Sequence, residues 1–438
     1  MYTNKGSTRE LVKKKGRLNI GFISTRFAGT DGVSLESGKW AAVLEEFGHS
    51  CFWFAGVLDK DASVSLCVPE AFFNHPDNIK LNKAVFGCKT RKRNHTDTIR
   101  KTADYLKDRI YAFIQDYSLD LLIPENCLAI PMHIPLGVAV TEVIAETGIP
   151  AIGHHHDFWW ERPRFLINAV PEIIQQAFPP DLHSMHHVVI NSMIQNDLAS
   201  KRGLSSSIIY NVIDFDDTSN NIDYDNVHFR EDFGFREDDI LILQPTRIVS
   251  RKGIEQAIYL VKRLDLPRVK LLISHSAGDE GQEYLDWILE TARNQEIDVH
   301  LLYNRLDETR SFDDDGNRLY SLWDIYPHVD LVTYPSVYEG FGNAFLEAVF
   351  FKKPILVNRY TVYIVDIEPK GFDVIAMDGF LTQKTVADVK RVLTDPGAKK
   401  RMVDKNYKLA EQFFSYSVLR KKLAAILDDF SYDYQKQE

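Results

Sequence analysis

One stretch constrains the fold more than any other: residues 334–351, with the sequence YPSVYEGFGNAFLEAVFF. The short apolar run before it, from Asp330 to Thr333, predicts a buried strand that Pro335 would end. Two glycines follow, and from Ala344 onward apolar residues recur on one face of a helix. The pattern predicts a strand, a glycine loop and a helix, which is typical of α/β proteins.

The start of this helix is a predicted anion site. The first amides of a helix have no partner within the helix, and the helix dipole adds a partial positive charge there. Glycines at this point let a ligand come close to the backbone. We expect a phosphate or diphosphate here, and the candidate donor-binding residues are Gly340, Phe341, Gly342, Asn343 and Ala344.

Two glutamates flank the predicted anion site. Glu339 precedes the helix, and Glu347 lies about one turn inside it. Carboxylates accept hydrogen bonds from paired hydroxyl groups, so a diphosphate that joins a sugar to a ribose would place one polyol near each glutamate. The alternative is an ordinary α/β turn whose glutamates are solvated.

The two glutamates, eight positions apart around Gly-Phe-Gly, resemble the E-x7-E motif of retaining GT-B glycosyltransferases, family 4 in particular. The resemblance implies that Glu339 contacts the donor sugar and Glu347 the nucleotide ribose. It also implies an α/β fold of two Rossmann-like domains that face each other across a deep cleft. The implied reaction moves a hexosyl group from a nucleotide-diphosphate sugar to a hydroxyl acceptor with retention.

A second loop carries basic residues between a strand and a helix. A predicted strand at residues 240–245 leads through Arg247 and Lys252 into a helix at residues 254–264. Two cations at this point would neutralise a diphosphate leaving group. The resembled family binds the donor diphosphate with an arginine and a lysine at this spacing. Solvated basic side chains are the alternative.

The first half of the chain also alternates strands and helices, which predicts a mainly parallel sheet. Its opening unit lacks the G-x-G-x-x-G pattern of dinucleotide-binding folds. Ser34 is the predicted N-cap of the first helix. Gly32 is a donor-binding candidate by the resemblance, or else a loop glycine that needs a positive φ.

A histidine-rich segment follows the predicted strand at residues 150–153. Adjacent side chains of a strand point to opposite faces, so we expect His154 and His155 not to share a metal ion, and no metal site is predicted. The resemblance implies a histidine beside the donor sugar, with His155 as first choice and His156 as second. Further cleft or acceptor candidates are Asp157, Trp160 and Arg162, which could instead belong to the core.

The chain has four predicted parts, of which a composition shift near residue 215 separates the two domains, and the resemblance implies that the last helix crosses back to the first domain. The four parts are a flexible basic arm at 1–17, an acceptor-side domain at 18–215, a donor-side domain at 216–415, and a C-terminal helix with a tail at 416–438. The run Asp313 to Gly316 is predicted to be an acidic turn and not a metal site.

Overall composition narrows the function further. The net charge of −10 argues against a nucleic-acid partner, and no apolar run approaches the length of a membrane span. The four cysteines have no CxxC spacing, so we expect no zinc finger or disulfide framework and a cytoplasmic setting. No cofactor is expected, since the nucleotide-sugar is a substrate, and magnesium dependence is not expected.

The acceptor is the least defined part of the prediction. We expect a soluble sugar or small glycoside, and the sequence leaves a peripheral contact with a membrane open. It identifies neither the base nor the sugar of the donor, and it does not fix the oligomeric state. A phosphorylase, a nucleotide-sugar epimerase and a non-catalytic nucleotide-sugar binder are the alternative functions.

Overall fold

A computed structural model describes residues 16–29, 31–217, 221–277 and 282–432, without the side chains of the last two. The predicted basic arm lies outside the described residues except for Gly16 and Arg17, and the tail after residue 432 lies outside them too. No helix in the described ranges combines the length and the apolar character that crossing a membrane requires.

The chain divides into two compact units. Unit 1 contains the residues up to Tyr210 together with those from Ser417 onward, and unit 2 contains Asn211–Tyr416. Each unit is built around its own parallel sheet.

Unit 1 has a seven-stranded sheet in the order β3-β2-β1-β4-β5-β6-β7, in which each neighbouring pair is parallel. Beyond the neighbouring strands β1 and β4, successive strands of the chain are added toward opposite edges of the sheet. Loops that follow the carboxyl ends of these two strands therefore diverge, which is where ligands bind in open α/β sheets. The strands are β1 Asn19–Ile23, β2 Ser50–Ala55, β3 Ser65–Cys67, β4 Leu121–Pro124, β5 Ala151–His155, β6 Met185–Val189 and β7 Ser207–Ile208.

The helices of unit 1 connect these strands. They are α1 Gly32–Glu46, α2 Pro76–Val85, α3 Arg93–Asp116, α4 Ile134–Thr147, α5 Pro163–Leu166, α6 Pro171–Ala177 and α7 Ser192–Arg202, and residues 417–432 of the C-terminal helix also belong to this unit. Single 3-10 turns lie at Ala62–Val64, Pro69–Ala71 and Trp159–Glu161.

The amino-acid pattern of the long helix α3 explains which face of the helix is buried. Its buried residues recur every three to four positions, from Ile99 through Leu106 and Ile110 to Phe113. This apolar stripe packs with α4 in one core cluster over the sheet. Burial of each large side chain contributes about 1.5–3 kcal/mol. Helix α4 ends at Gly148, which adopts the left-handed conformation.

Unit 2 has a six-stranded parallel sheet in the order β10-β9-β8-β13-β14-β15 and a separate antiparallel hairpin of β11 and β12. Here the order runs outward from β8 and β13. The strands are β8 Ile240–Gln244, β9 Val269–Ile273, β10 Val299–Leu301, β11 Ser311–Phe312, β12 Arg318–Leu319, β13 Leu331–Tyr334, β14 Ile355–Asn358 and β15 Ile375–Met377.

The helices of unit 2 are α8 Phe229–Asp232, α9 Ile254–Leu264, α10 Gln282–Asn294, α11 Leu322–Ile325, α12 Asn343–Phe350, α13 Gln383–Thr394 and α14 Pro396–Phe414. The final helix α15, Tyr416–Tyr432, begins at the end of this unit. Shorter turns are the 3-10 turns Ser250–Lys252, Tyr303–Arg305, Tyr326–His328 and Glu368–Lys370 and the π-helical turn Tyr363–Ile367. The apolar faces of α9, α10 and α13 form the main core cluster of the unit.

Some local predictions were wrong. Asp31, and not Ser34, caps α1, because the Asp31 carboxylate accepts hydrogen bonds from the amides of Val33 and Ser34. Residues 58–96, for which the sequence predicts irregular structure, contain β3 and α2. Strand β5 continues through His155 beyond the predicted end at Gly153, because it pairs with β6 along its whole length.

Candidate active site

The loop between β13 and α12 is held in an unusual backbone conformation. Gly342, the N-cap of α12, has a φ of 123°, and a Cβ at this position would clash with the Tyr360 hydroxyl. That hydroxyl donates a hydrogen bond of 2.7 Å to the carbonyl of Phe341. The side chain of Phe341 packs against Phe414. Only glycine fits at residue 342. The hydrogen bond from Tyr360 and the packing of Phe341 on Phe414 hold the loop backbone in place.

Glu339 and Lys252 form an ion pair across two loops of unit 2. The Lys252 ammonium donates to Glu339 Oε1, and Arg251 Nη1 lies 3.7 Å from Oε2 of the same carboxylate. Glu339 and Lys252 are each 8% exposed. Burial lowers the pKa of Lys252, while the charge of Glu339 opposes this shift. The pair fixes the position of the Glu339 carboxylate at the loop.

Gly253 lets the two loops approach each other. Its φ is 62°, and a Cβ there would lie 2.7 Å from the carbonyl oxygen of Pro335, the residue that follows β13. The basic loop after β8 therefore packs directly on the glutamate loop after β13. Neighbouring strands β8 and β13 bring the two sequence-predicted motifs to one edge of the sheet.

Arg247 is exposed at this edge. Within the described part of the chain its guanidinium makes no hydrogen bond or ion pair. His275, two residues after β9, is half-buried, and its pKa falls to about 4 because of desolvation and the positive charges of Lys252 and Arg247. Arg247, Lys252 and His275 thus lie close together, and a cationic group without a protein partner is available to an anion.

Glu347 lies on the first turns of α12 and is half-buried. The hydroxyl of Tyr326 donates to its Oε2 at 2.8 Å. At the start of the same helix, the side-chain oxygen of Asn343 accepts a 2.7 Å hydrogen bond from Asn211. Hydrogen bonds from Tyr326 and Asn211, both in unit 2, therefore orient the side chains of Glu347 and Asn343.

In unit 1, the histidine segment continues from β5 beside Glu125, which follows β4. Glu125 and His154 are paired in register. His154 Nδ1 donates to Glu125 Oε1 at 2.6 Å, and His156 Nε2 lies 3.5 Å from Oε2. One ligand atom of each of the three residues lies within 4.8 Å of the others. These three side chains are therefore the group in the described residues that could hold a metal ion.

Opposing influences set the protonation of this group. Burial raises the pKa of Glu125, but His154 and His156 outweigh burial and keep it below its usual value. Burial lowers the pKa of His156, but Glu125, Glu36 and Asp157 outweigh burial and raise it. A cation on this side of β5 is favoured.

The first choice between the two histidines has to be corrected. His155 is 0% exposed, its Nε2 forms a 3.0 Å hydrogen bond with Nδ1 of His187, and its ring packs on Phe158. Burial and His187 hold the pKa of His155 well below its usual value. Because strand side chains alternate, His155 faces the interior and His156 lies on the opposite side with His154. The structure therefore disfavours His155, and contact of His156 with a sugar remains a prediction.

The remaining candidates after β5 separate into two groups. Arg162 forms an ion pair with Asp157, and Asn126 Nδ2 donates to Asp157 Oδ1 at 3.1 Å. Trp160 instead donates from Nε1 to Asp197 of α7 at 3.1 Å and stacks on Phe158. Asp157 and Arg162 form a polar pair near His156, whereas Trp160 has a packing role within unit 1.

Gly32 is the first residue of α1 and is exposed. Its φ is not positive and a Cβ there would meet no atom within 4 Å, so the interpretation that it needs a positive φ is wrong. The amides that follow it are already bonded by Asp31. Its role in donor binding remains a prediction.

Several site residues were missed by the sequence analysis: Glu125, Arg251, His275 and Tyr326. Glu125 directly follows β4, and His275 lies two residues after β9, so the rule that ligands bind beyond strand ends could have indicated them. Tyr326 had no such signal, because its contact with Glu347 depends on tertiary packing.

Comparisons with known proteins give the family. The sequence profile described as "Glycosyl transferases group 1" matches residues 225–409. A mannosylglucosylglycerate synthase of Petrotoga mobilis is 30% identical, covering 92% of this chain and 100% of its own. This chain belongs to the group 1 glycosyltransferases. A mannosylglucosylglycerate synthase of Thermotoga maritima is 31% identical, over 91% of this chain and 97% of its own.

Solved structures support the fold of this glycosyltransferase. A glycosyltransferase of Rickettsia africae ESF-5 has a TM-score of 0.67 at 12% identity, over 95% of this chain and 98% of its own. Anabaena Alr3699/HepE, in complex with UDP and glucose, has a TM-score of 0.63 at 14% identity, over 94% and 100%. The predicted GT-B class, with two Rossmann-like parallel-sheet units, is confirmed.

Proposed function

We propose that this glycosyltransferase moves a hexosyl group from a nucleotide-diphosphate sugar to a hydroxyl of a small glycoside, with retention at the anomeric carbon. One observation carries the proposal: within unit 2, Arg247 and Lys252 share the sheet edge with the loop and helix that hold Glu339 and Glu347. This arrangement combines cations for a diphosphate with carboxylates for the two sugars that it joins.

Arg247 and Lys252 would stabilise the departing diphosphate. A guanidinium can donate two parallel hydrogen bonds to phosphate oxygens, and Arg247 has no competing hydrogen bond or ion pair among the described residues. Lys252 acts as a point charge beside it. Since negative charge grows on the diphosphate as the glycosidic bond breaks, these cations stabilise the transition state more than the ground state.

The two carboxylates would orient the donor. Glu339, fixed by Lys252, accepts hydrogen bonds from hydroxyls of the transferred sugar. Glu347, oriented by Tyr326, accepts them from the ribose. The backbone at the start of α12, held open by Gly342, would contact the diphosphate between them.

The reaction then needs no base from the protein. The bond between the anomeric carbon and the diphosphate oxygen breaks, and the acceptor oxygen forms its bond from the same face. The departing diphosphate oxygen takes the acceptor proton, so atoms and charge balance. His156, with Asp157 and Arg162 near it in unit 1, would contact the transferred sugar and the acceptor. We propose that no cofactor takes part in this step.

The names of the relatives suggest a substrate pair. Two relatives with more than 90% coverage of this chain are mannosylglucosylglycerate synthases. We therefore propose a mannosyl donor and glucosylglycerate as the acceptor for this enzyme. The acceptor combines sugar hydroxyls with a carboxylate, which fits the expectation of a small glycoside.

A product assay tests the proposal. GDP-mannose, UDP-glucose and ADP-glucose are each incubated with glycerate, glucosylglycerate and glucosyl-3-phosphoglycerate, and products are analysed by NMR. We expect one α-configured product from an α-configured donor, with Arg247→Ala at least about 100-fold slower. Exposed Arg100→Ala on α3 is the matched control and should keep full activity.

Three outcomes of the assay would contradict the proposal. Phosphate-dependent release of a sugar phosphate from the glycoside would indicate a phosphorylase. Conversion of a donor without an acceptor would indicate an epimerase. A β-configured product would exclude retention.

A further inference from the structure

The cluster of Glu125, His154 and His156 in unit 1 has the composition of a metal site. The carboxylate follows β4, and the two histidines lie two positions apart at the end of β5, so both rings are on one side of the strand. Their ligand atoms all lie within 4.8 Å of one another. The cluster is formed by residues far apart in sequence that strand pairing brings together.

Among the described residues, the buried charge of Glu125 pairs with histidines and with no arginine or lysine. Glu125 is 0% exposed, and its ion-pair partners in the described ranges are the two histidines. Its Oε2 and the Nε2 of His156 are both buried and make no hydrogen bond to any described residue. A buried carboxylate is costly unless a cation accompanies it, and buried polar atoms without a hydrogen bond add to that cost. A bound cation would remove both costs.

The ligand atoms indicate which cation fits. Two imidazole nitrogens and one carboxylate oxygen are ligands that zinc and neighbouring divalent transition metals prefer. In a tetrahedral site with bonds of about 2.1 Å, ligand atoms lie about 3.4 Å apart. The 3.5 Å separation between His156 Nε2 and Glu125 Oε2 agrees with that spacing. His154 Nδ1 lies closer, at 2.6 Å from Glu125 Oε1, so a metal ion would replace this hydrogen bond.

The surroundings hold the ligands in place. Trp40 stacks on the His154 ring at a centroid distance of 4.1 Å. Asn126 Oδ1 accepts a 2.9 Å hydrogen bond from the His156 amide. Ligands held in place in this way favour a bound ion, and three protein ligands would leave a fourth position to water.

We propose that Glu125, His154 and His156 bind one divalent transition-metal ion of the zinc class. The ion balances the Glu125 carboxylate and fixes the ends of β4 and β5. This site is separate from the diphosphate-binding residues of unit 2, but it shares His156 with the proposed sugar contact. Because Nε2 of His156 would bind the ion, the sugar contact would use Nδ1 of the same ring. It also revises the expectation of no metal, which considered the adjacent pair His154 and His155 but not the alternate pair His154 and His156.

Metal binding to the full chain without an affinity tag tests the site. The chelator-treated protein is titrated with Zn²⁺ and with Co²⁺, and bound metal is measured by elemental analysis and by the visible absorption of Co²⁺. We expect one equivalent in the wild type. Glu125→Gln, His154→Gln and His156→Gln should each weaken binding at least about 100-fold, since loss of even a supporting partner costs 10–100-fold.

His155→Gln is the matched control, because it changes a histidine of the same segment that faces the interior. We expect it to keep one equivalent of metal. The proposal is overturned if the wild type binds no Zn²⁺ or Co²⁺, or if the three ligand variants bind as well as the wild type. Circular dichroism establishes that each variant is folded.

A second measurement uses the wild type alone, so it tests the metal site even if the variants fail to fold. Chelator treatment of the wild type should lower its melting temperature, and Zn²⁺ should restore it; an unchanged melting temperature would overturn the proposal. Binding of a nucleoside diphosphate is measured on the same samples. Because the donor residues lie in unit 2, a failure of the metal site would leave nucleotide binding intact, and the two proposals are tested separately.

Discussion

At the scale of single residues, the ion pair between Lys252 and Glu339 has both a structural and a functional role. Both side chains are almost fully buried, and each neutralises the other. Such a pair is costly to break from one side, because the remaining charge stays buried without a partner. The proposed contact of Glu339 with the donor sugar therefore depends on Lys252 twice, through the position of the carboxylate and through its charge.

Lys252→Met should destabilise the protein by about 3–5 kcal/mol, because Glu339 is left as an uncompensated buried charge. Changing both residues, in Lys252→Met with Glu339→Gln, should recover more than half of that loss. Urea denaturation followed by tryptophan fluorescence measures both. Lys262→Met removes an exposed ion pair with Glu296 and should change stability by less than about 1 kcal/mol. Equal losses in Lys252→Met and Lys262→Met would refute this account of the pair.

Gly342→Ala should cost about 1–3 kcal/mol, because its φ of 123° is strained for alanine and the new methyl group would meet the Tyr360 hydroxyl. Removing that hydroxyl in the double variant with Tyr360→Phe should recover part of the loss. Gly38→Ala is the control, since a Cβ there meets no atom within 4 Å, and it should be neutral or stabilising. A tolerated Gly342→Ala in thermal melts would contradict the strained loop.

At the scale of residues, the sequence predicted contacts between residues that are near in the chain and missed contacts that depend on tertiary structure. Glu339 and Glu347 are eight positions apart on one loop and helix, so local pattern was enough to pair them. The group of Glu125 with His154 depends on the pairing of β4 with β5, which the sequence does not state. His155 was preferred because of the resemblance, since it precedes Asp157 in a His-x-Asp pattern. Strand β5 extends through His155, and its side chain is buried beside His187.

At the scale of secondary-structure elements, the start of α4 depends on a neutral histidine. His133 Nδ1 accepts a hydrogen bond from the amide of Leu136, and Nε2 donates to the carbonyl of Glu70 at 2.8 Å. Burial lowers the pKa of His133 to about 4, although the Glu70 carbonyl opposes the shift. Protonation would replace the acceptor at Nδ1 with a donor and break the cap.

The free energy of unfolding should therefore fall as the pH decreases from about 6.5 to about 4. In that window the unfolded chain binds a proton at this histidine and the folded chain does not, so stability is complete above pH 6.5 and is lost toward pH 4. His133→Asn keeps a favoured N-cap and removes the titration, and it should reduce the slope by up to about 1.4 kcal/mol per pH unit.

His133→Gln separates capping from titration, because glutamine removes the proton site but is a poorer cap. It should show the reduced slope and a lower stability at pH 7. Other buried histidines, such as His187 and His328 with pKa values of about 4, leave a residual slope in every variant. Denaturation curves at several pH values that show the wild-type slope in His133→Asn would exclude this mechanism.

Elements were predicted well where sequence periodicity was strong. Helix α9 was predicted with the bounds that it has, 254–264. Its apolar residues recur regularly from Ile254, just after Gly253, to Leu264. Strand β7, which the sequence predicts at residues 207–212, covers Ser207–Ile208. Helix α2 was missed because few of its residues are apolar, and its N-cap His75 is not among the common capping residues.

At the scale of the whole molecule, the two units carry different parts of the proposed chemistry. Unit 2 holds the candidates for the nucleotide diphosphate, and unit 1 holds His156 with Asp157 and Arg162. His156→Gln should leave the affinity for a nucleoside diphosphate within about twofold, and it should slow glycosyl transfer at least about 100-fold. Calorimetry and the product assay measure the two effects. A large loss of diphosphate affinity in His156→Gln would show that this division of roles is wrong.

The most direct test of the donor site is a calorimetric titration with GDP, UDP, ADP and inorganic phosphate, repeated with Arg247→Ala and Glu347→Gln. The account predicts selective binding of one diphosphate. Arg247→Ala should weaken it about 10–100-fold, because a charged hydrogen-bonding partner is worth about 1.5–3 kcal/mol, and Glu347→Gln should weaken it less. Binding of inorganic phosphate alone, or a diphosphate affinity unchanged in both variants, would contradict the account.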